Sequence, residues 1–237
     1  MALTDNQIER YSRQIIVPGV GGRAQERLLA SCVAIVAGIA DAASALAYLA
    51  GAGVGRIVMY PVGDWTAYRA LIERISDLNP ETNVHIASDK TSDTLGDVSG
   101  DTSQLMLALV GDALTAEAAA RVWRASRTGV QGAPKHRSRA AIIARLDTPG
   151  RIALFPAPPP CPLCADADLL SPPDERAYSA KAIAAGAIAM VAVAEAFKLL
   201  AGLAGRSSGA QLVEFNGYVS APRALGRRRL RGGGGSK

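Results

Sequence analysis

Short unbroken apolar runs alternate along this chain with longer Ala-rich stretches, and the alternation predicts an order of elements. Thr4 and Gln7 have the spacing of a capping box, opening a helix through Ile8, Tyr11, Ile15 and Ile16 that Pro18 stops. A second short helix is expected over residues 23–30. Residues 33–36 (Val-Ala-Ile-Val) form a continuous apolar run suited to a strand buried on both faces. An Ala-rich helix at 42–50 follows, stopped by Gly51, Gly53 and Gly55, and then a second buried strand at 56–60. Strand, helix and strand within about 30 residues make a βαβ unit, hence a parallel sheet with a right-handed crossover.

The pattern continues with a helix at 65–78, a strand at 83–87 and a polar loop at 88–103. A strand at 105–110 and a helix at 113–127, with Leu114 and Val122 facing inward, come next. A basic loop at 129–139 precedes two strands, 140–146 and 151–155, joined by the turn at Thr148-Pro-Gly150. Residues 156–173 are too rich in Pro for regular structure. A long helix at 181–204 and a strand at 211–215 close the pattern, and no internal repeat is present.

Composition narrows the classes. At 237 residues, 49% hydrophobic and 20% charged, the chain is too apolar for intrinsic disorder. With 5% aromatics it is too poor in rings for a stacking-based nucleic-acid binder. Glu195 and Lys198 interrupt the Ala-rich stretch 182–203, which therefore reads as a buried helix, not a membrane span. The N-terminal MALTDNQIERYSRQ has no apolar core of a secretory signal, so the cytoplasm is the expected compartment.

The net charge of +5 belongs to one end. Six of the 26 basic residues lie within 222–237, leaving 20 against 21 acids, so the body is nearly neutral. One domain over 1–222 and a basic, Gly-rich tail over 223–237 are expected. Cys32, Cys161 and Cys164 are too few for a disulfide framework. Cys161-Pro-Leu-Cys164 is half a zinc site, complete only if a partner supplies the other ligands.

Several segments carry a resemblance. Glu9-Arg-Tyr-Ser-Arg-Gln-Ile15, Gly21-Gly22 and Gln25-Glu-Arg-Leu28 resemble the opening of the ThiF/MoeB/HesA family, bacterial relatives of ubiquitin-activating enzymes. The likeness continues in order through 33–36, Tyr48-Leu-Ala-Gly-Ala-Gly-Val-Gly55, Leu78-Asn-Pro80, Cys161-Pro-Leu-Cys164, 195–202 and 213–225, covering nearly the whole chain. It implies a Rossmann-like α/β fold with a mostly parallel central sheet, helices on both faces and an antiparallel C-terminal part. It also implies adenylation of the C-terminal Gly-Gly of a ubiquitin-like sulfur carrier, with ATP and magnesium, on a homodimer. Carried over residue by residue, Arg13 is the arginine that reaches ATP across the dimer and Asp112 the metal-binding aspartate. Both are candidate cofactor-binding residues, and Cys161 and Cys164 are candidate metal ligands. No catalytic residue is assigned.

The departures fall on the nucleotide site. The family's glycine-rich turn should follow Val36, but its glycine positions hold Ala37, Ile39, Ala40 and Ala42. Cβ atoms then stand where backbone must approach phosphate. Asp41 puts a carboxylate at the helix N-terminus, either as a simple helix cap or as a group that excludes an anion. The ribose-binding acid falls on Pro61, with Asp64 out of register. The phosphate-contacting Asn, Arg and Lys have no counterpart, Arg69 and Arg74 reading as exposed helix charges. The second CxxC is absent, and no cysteine in 171–179 offers a thioester relay.

The expected function is a non-catalytic scaffold or partner subunit, with no cofactor of its own. The alternative is an active sulfur-carrier adenylyltransferase with an atypical site, and only this reading needs ATP–Mg. Neither GxGxxG nor an acidic ribose ligand supports a dehydrogenase. A homodimer, or a heterodimer with an intact homologue, and a sulfur-carrier protein are the expected partners, without membrane or nucleic acid. Leu230-Arg-Gly-Gly resembles the end of a ubiquitin-like protein, but the tail reads first as a flexible linker.

Overall fold

The computed structural model describes residues 2–87, 103–125, 140–147, 150–155, 169, 181–203, 210–215 and 223–224. Thr4 caps helix α1 (Asp5–Ile15) through the expected box: its side chain accepts from the Gln7 N–H, and Gln7 Oε1 accepts from the Thr4 N–H. Helix α2 (Gly21–Leu29) begins two residues earlier than the apolar pattern suggests. Then come β1 (Cys32–Gly38), α3 (Ile39–Gly51), β2 (Arg56–Val62), α4 (Thr66–Leu78) and β3 (Asn83–Ile86). Past the next described residues lie β4 (Leu105–Val110), α5 (Ala113–Ala125), β5 (Ala140–Arg145) and β6 (Gly150–Phe155). Helix α6 (Lys181–Ala201), β7 (Gln211–Phe215) and β8 (Arg223–Ala224) complete the order.

The eight strands form one sheet in the order β3-β2-β1-β4-β5-β6-β7-β8. Pairing is parallel from β3 to β5 and antiparallel from β5 to β8, the mixed Rossmann-like arrangement expected. Arg223 and Ala224, counted above with the tail, pair with Leu212 and Gln211 as the last strand. Alternate residues of β1 divide between two cores. Val33, Ile35 and Ala37 pack with α3, α4 and α6, and Ala34 and Val36 with α5. Both faces of β1 and β4 are covered, which is why these strands are continuously apolar.

One expectation changes. Leu114 is 61% exposed; Ala116, Ala119 and Trp123 join Val122 on the buried face, because Leu114 lies in the first turn, at the rim of the sheet. Helix α6 is long and apolar enough by length and composition to cross a membrane. One of its faces, through Ile188, Ala189, Ala192, Val193 and Ala196, is buried in the core.

Candidate functional site

After β1 and β4 the chain runs in opposite directions along the sheet, outward to β2 and β3 from one and to β5 from the other. In open α/β sheets such a switch point leaves a crevice at the carboxyl ends of the strands, where ligands bind. Gly38 ends β1 and is the N-cap of α3, without a side-chain cap bond. The expected turn between strand and helix is absent, and α3 starts three residues earlier than the Ala-rich pattern suggests.

Asp41 lies in the first turn of α3, so it is not the residue that caps the helix. Its carboxylate crosses to the end of β4, where a Cβ on Gly111 would stand 3.4 Å from Asp41 Oδ2. Half-buried, it has no hydrogen bond and no ion pair among the described residues. Burial, and then the charge of Asp112, push its pKa above the usual carboxylate range.

Asp112 caps α5. Its Oδ1 accepts from Thr115 N at 2.7 Å and from Thr115 Oγ1 at 2.7 Å, and Thr115 Oγ1 accepts from the Gly111 N–H at 3.2 Å. The structure thus brings Asp112 to the crevice, facing a carboxylate that the resemblance did not supply. Asp64 is exposed and accepts from Thr66 N and Thr66 Oγ1 at the start of α4. Those bonds hold its pKa below the usual range. Arg69 lies over the ring of Trp65, 5.0 Å from its centre, and Arg74 is exposed.

Tyr68 is the group that sequence reasoning missed. It is fully buried on α4, and its hydroxyl donates to the Ala37 carbonyl at 2.8 Å, with the Val62 carbonyl at 3.1 Å. The Val62 N–H donates to the same hydroxyl at 3.2 Å. Ala37 and Val62 lie at the carboxyl ends of β1 and β2. Burial pushes the phenol pKa up. The available signal was an aromatic residue on a short helix directly after the strand expected to hold ribose.

Arg13 is not brought to this crevice. Helix α1 is held at the other edge of the sheet, with Gln14 Nε2 donating to the Gly51 carbonyl and Gln7 to Glu81. Asn79 Nδ2 donates to the Tyr11 hydroxyl at 2.9 Å and to the Ala50 carbonyl at 2.6 Å, and Gln25 Nε2 donates to the Ala52 carbonyl. Arg13 is exposed, with no hydrogen bond or ion pair among the described residues. Cys161 and Cys164 lie outside the described residues, among which no group of three or more His, Cys, Asp or Glu is placed to hold a metal.

Two of the glycines at this edge are obligatory. Gly53 has φ +87°, and a Cβ there would meet Gln25 Nε2 at 2.5 Å and the Tyr11 ring at 2.8 Å. A Cβ on Gly55 would stand 1.9 Å from the Leu29 carbonyl oxygen.

No protein-family model matches the chain. It is 35% identical over 106 residues to the vegetative HesA protein of Trichormus variabilis, covering 37% of this chain and 40% of that one. Over 102 residues it is 33% identical to the sulfur carrier protein adenylyltransferase of Thermus thermophilus, covering 35% and 38%. Over these segments the chain is similar to proteins of the ThiF/MoeB/HesA type. Its matches span two fifths or less of these family members' lengths. Solved structures share the fold. MccB of E. coli, with succinimide, superposes with a TM-score of 0.63 at 14% identity, covering 93% of this chain and 73% of that one. PaaA gives 0.61 at 16%, covering 94% and 84%.

Proposed function

We propose that this chain is a non-catalytic subunit, a scaffold that has given up the nucleotide chemistry of its relatives. The observation that carries the reading is Asp41, a half-buried carboxylate without a donor, set beside Gly111 and Asp112 where a phosphate would be received. An anion needs free N–H groups and positive potential at a helix N-terminus, and Asp41 supplies the opposite sign. Ala37, Ile39, Ala40 and Ala42 hold Cβ atoms at the glycine positions of the turn. The residues at hand do not fit ATP–Mg, and no adenylation step is routed through them. Each missing transition-state donor costs about 3 kcal/mol, so losing several leaves little activity.

The scaffold role uses what remains. Helix α6 and the N-terminal arm form a dimer, with a second copy or with an intact homologue, and the unpaired Arg13 is presented in trans to the partner's nucleotide. A ubiquitin-like sulfur carrier is the protein ligand of that assembly, which works in the cytoplasm. The Thermus thermophilus relative, a sulfur carrier protein adenylyltransferase, supports this choice of ligand.

Isothermal titration of the folded protein with ATP–Mg tests the reading. No heat of binding is expected up to millimolar nucleotide, and micromolar binding overturns it in favour of an active adenylyltransferase with an atypical site. A second measurement addresses Arg13. Mixed with an intact homologue, the wild-type chain raises the homologue's carrier adenylation, and Arg13→Ala does not.

A further inference from the structure

The crevice at the β1/β4 switch point has two ends, and Asp41 accounts for only the phosphate end. The other, over the carboxyl ends of β1 and β2, is where a dinucleotide fold places a ribose against an acidic side chain. Pro61 stands in the strand where that acid would be and Asp64 is engaged with Thr66, while Asp41 and Asp112 bear on Tyr68 through their charge. Instead α4 follows β2 after three residues and brings Tyr68 back over the sheet. We infer that Tyr68 is a built-in occupant of the nucleoside end, closing from within the chain a crevice that would otherwise admit an aromatic base and its sugar.

Three observations carry the assignment. The ring is fully buried among core side chains, so no solvent-filled space remains around it. The hydroxyl bridges the ends of the two strands, bonding Ala37 on one and Val62 on the other. Pro61 has no N–H of its own to offer at that level of the sheet. A phenol is also a sound mimic of what it displaces, a flat aromatic body with a polar tip that exchanges hydrogen bonds with backbone. The inference rests on the non-catalytic reading and says which residue sets it: Asp41 answers for the anion and Tyr68 for the base.

Adenosine, which carries no phosphate, isolates the Tyr68 end. Wild-type protein titrated with adenosine and followed by amide and aromatic NMR is expected to leave the Val62 N–H and Tyr68 ring signals unmoved at millimolar ligand. Tyr68→Ala, with its fold confirmed by circular dichroism, is expected to bind adenosine at least tenfold more tightly than wild type. A folded variant with no such gain overturns the assignment. So does adenosine shifting the wild-type Val62 and Tyr68 signals, a measurement that decides the matter even where Tyr68→Ala fails to fold. Wild type that binds ATP–Mg with those signals unmoved overturns the non-catalytic reading and leaves the assignment of Tyr68. Wild type inert to ATP–Mg whose folded Tyr68→Ala variant ignores adenosine overturns only the assignment.

Discussion

The two edges of the parallel sheet have kept different things. At the edge where the strands begin, Tyr11, Gln25, Gly53, Gly55 and Asn79 form one packed, hydrogen-bonded set joining α1 and α2 to the ends of α3 and α4. These residues belong to the segments that carry the resemblance. At the edge where the strands end, Ala37, Ile39, Asp41 and Tyr68 stand where the resemblance fails. The segments that carry the resemblance thus build the scaffold, and on the proposed non-catalytic reading the changes fall at the nucleotide end. On that reading, the segments that carry the resemblance are not the ones that would hold a nucleotide.

The sharpest way to break this contrast is at the first edge. Gly55→Ala drives a Cβ into the Leu29 carbonyl, a backbone atom that moves only with its helix. A loss of about 4 kcal/mol is expected in urea unfolding, at the upper end for single substitutions. Asn79→Ala leaves the buried Tyr11 hydroxyl without its donor and takes one of several donors from the Ala50 carbonyl, which keeps the Gly53 N–H, for a loss of about 2 kcal/mol. Values near zero at both positions would show that the retained segments serve something other than the scaffold.

At the second edge the effects are smaller, and one has the opposite sign. The fold raises the pKa of Asp41, so the folded chain favours its protonated form. Below the ordinary value of about 3.9 the group is protonated in both states and costs nothing. As pH rises through the window up to the raised value the unfolded chain ionises first, and stability falls. Asp41→Asn is therefore expected to be more stable than wild type at pH 7, with the gain disappearing near pH 3 in thermal melts. Arg13→Ala should change stability by less than about 0.5 kcal/mol, since the side chain is exposed and unpaired. A larger loss would make Arg13 part of the scaffold, not a group held ready for a partner.

Much of the fold was legible because its signals are local. A capping box, a βαβ unit and runs of apolar residues buried on both faces each need only a short window of sequence. Leu114 was misplaced because one residue in a first turn faces whatever the sheet edge leaves open, and periodicity alone does not say where that edge is. At the site, the glycine replacements could be read from the sequence, but their consequence could not. That Asp41 would cross to Gly111, and that Tyr68 would bond Ala37 some 31 residues away, depends on how β1 sits between β2 and β4. Such pairings leave no mark on local composition.

The central position of β1 also bears on how the chain assembles. Val33 pairs with Ile57 on one side and with Leu105 on the other, so the second pairing closes a loop about three times as long as the first. That difference adds about 1 kcal/mol of closure entropy, and contacts of high sequence separation form slowly. The β1–β2 unit is thus expected to form while the far side of β1, apolar along its length, still lacks a partner. During that interval the nascent protein offers an open strand edge to any neighbouring chain. The crevice between β1 and β4, last to be assembled, is also where aggregation would begin.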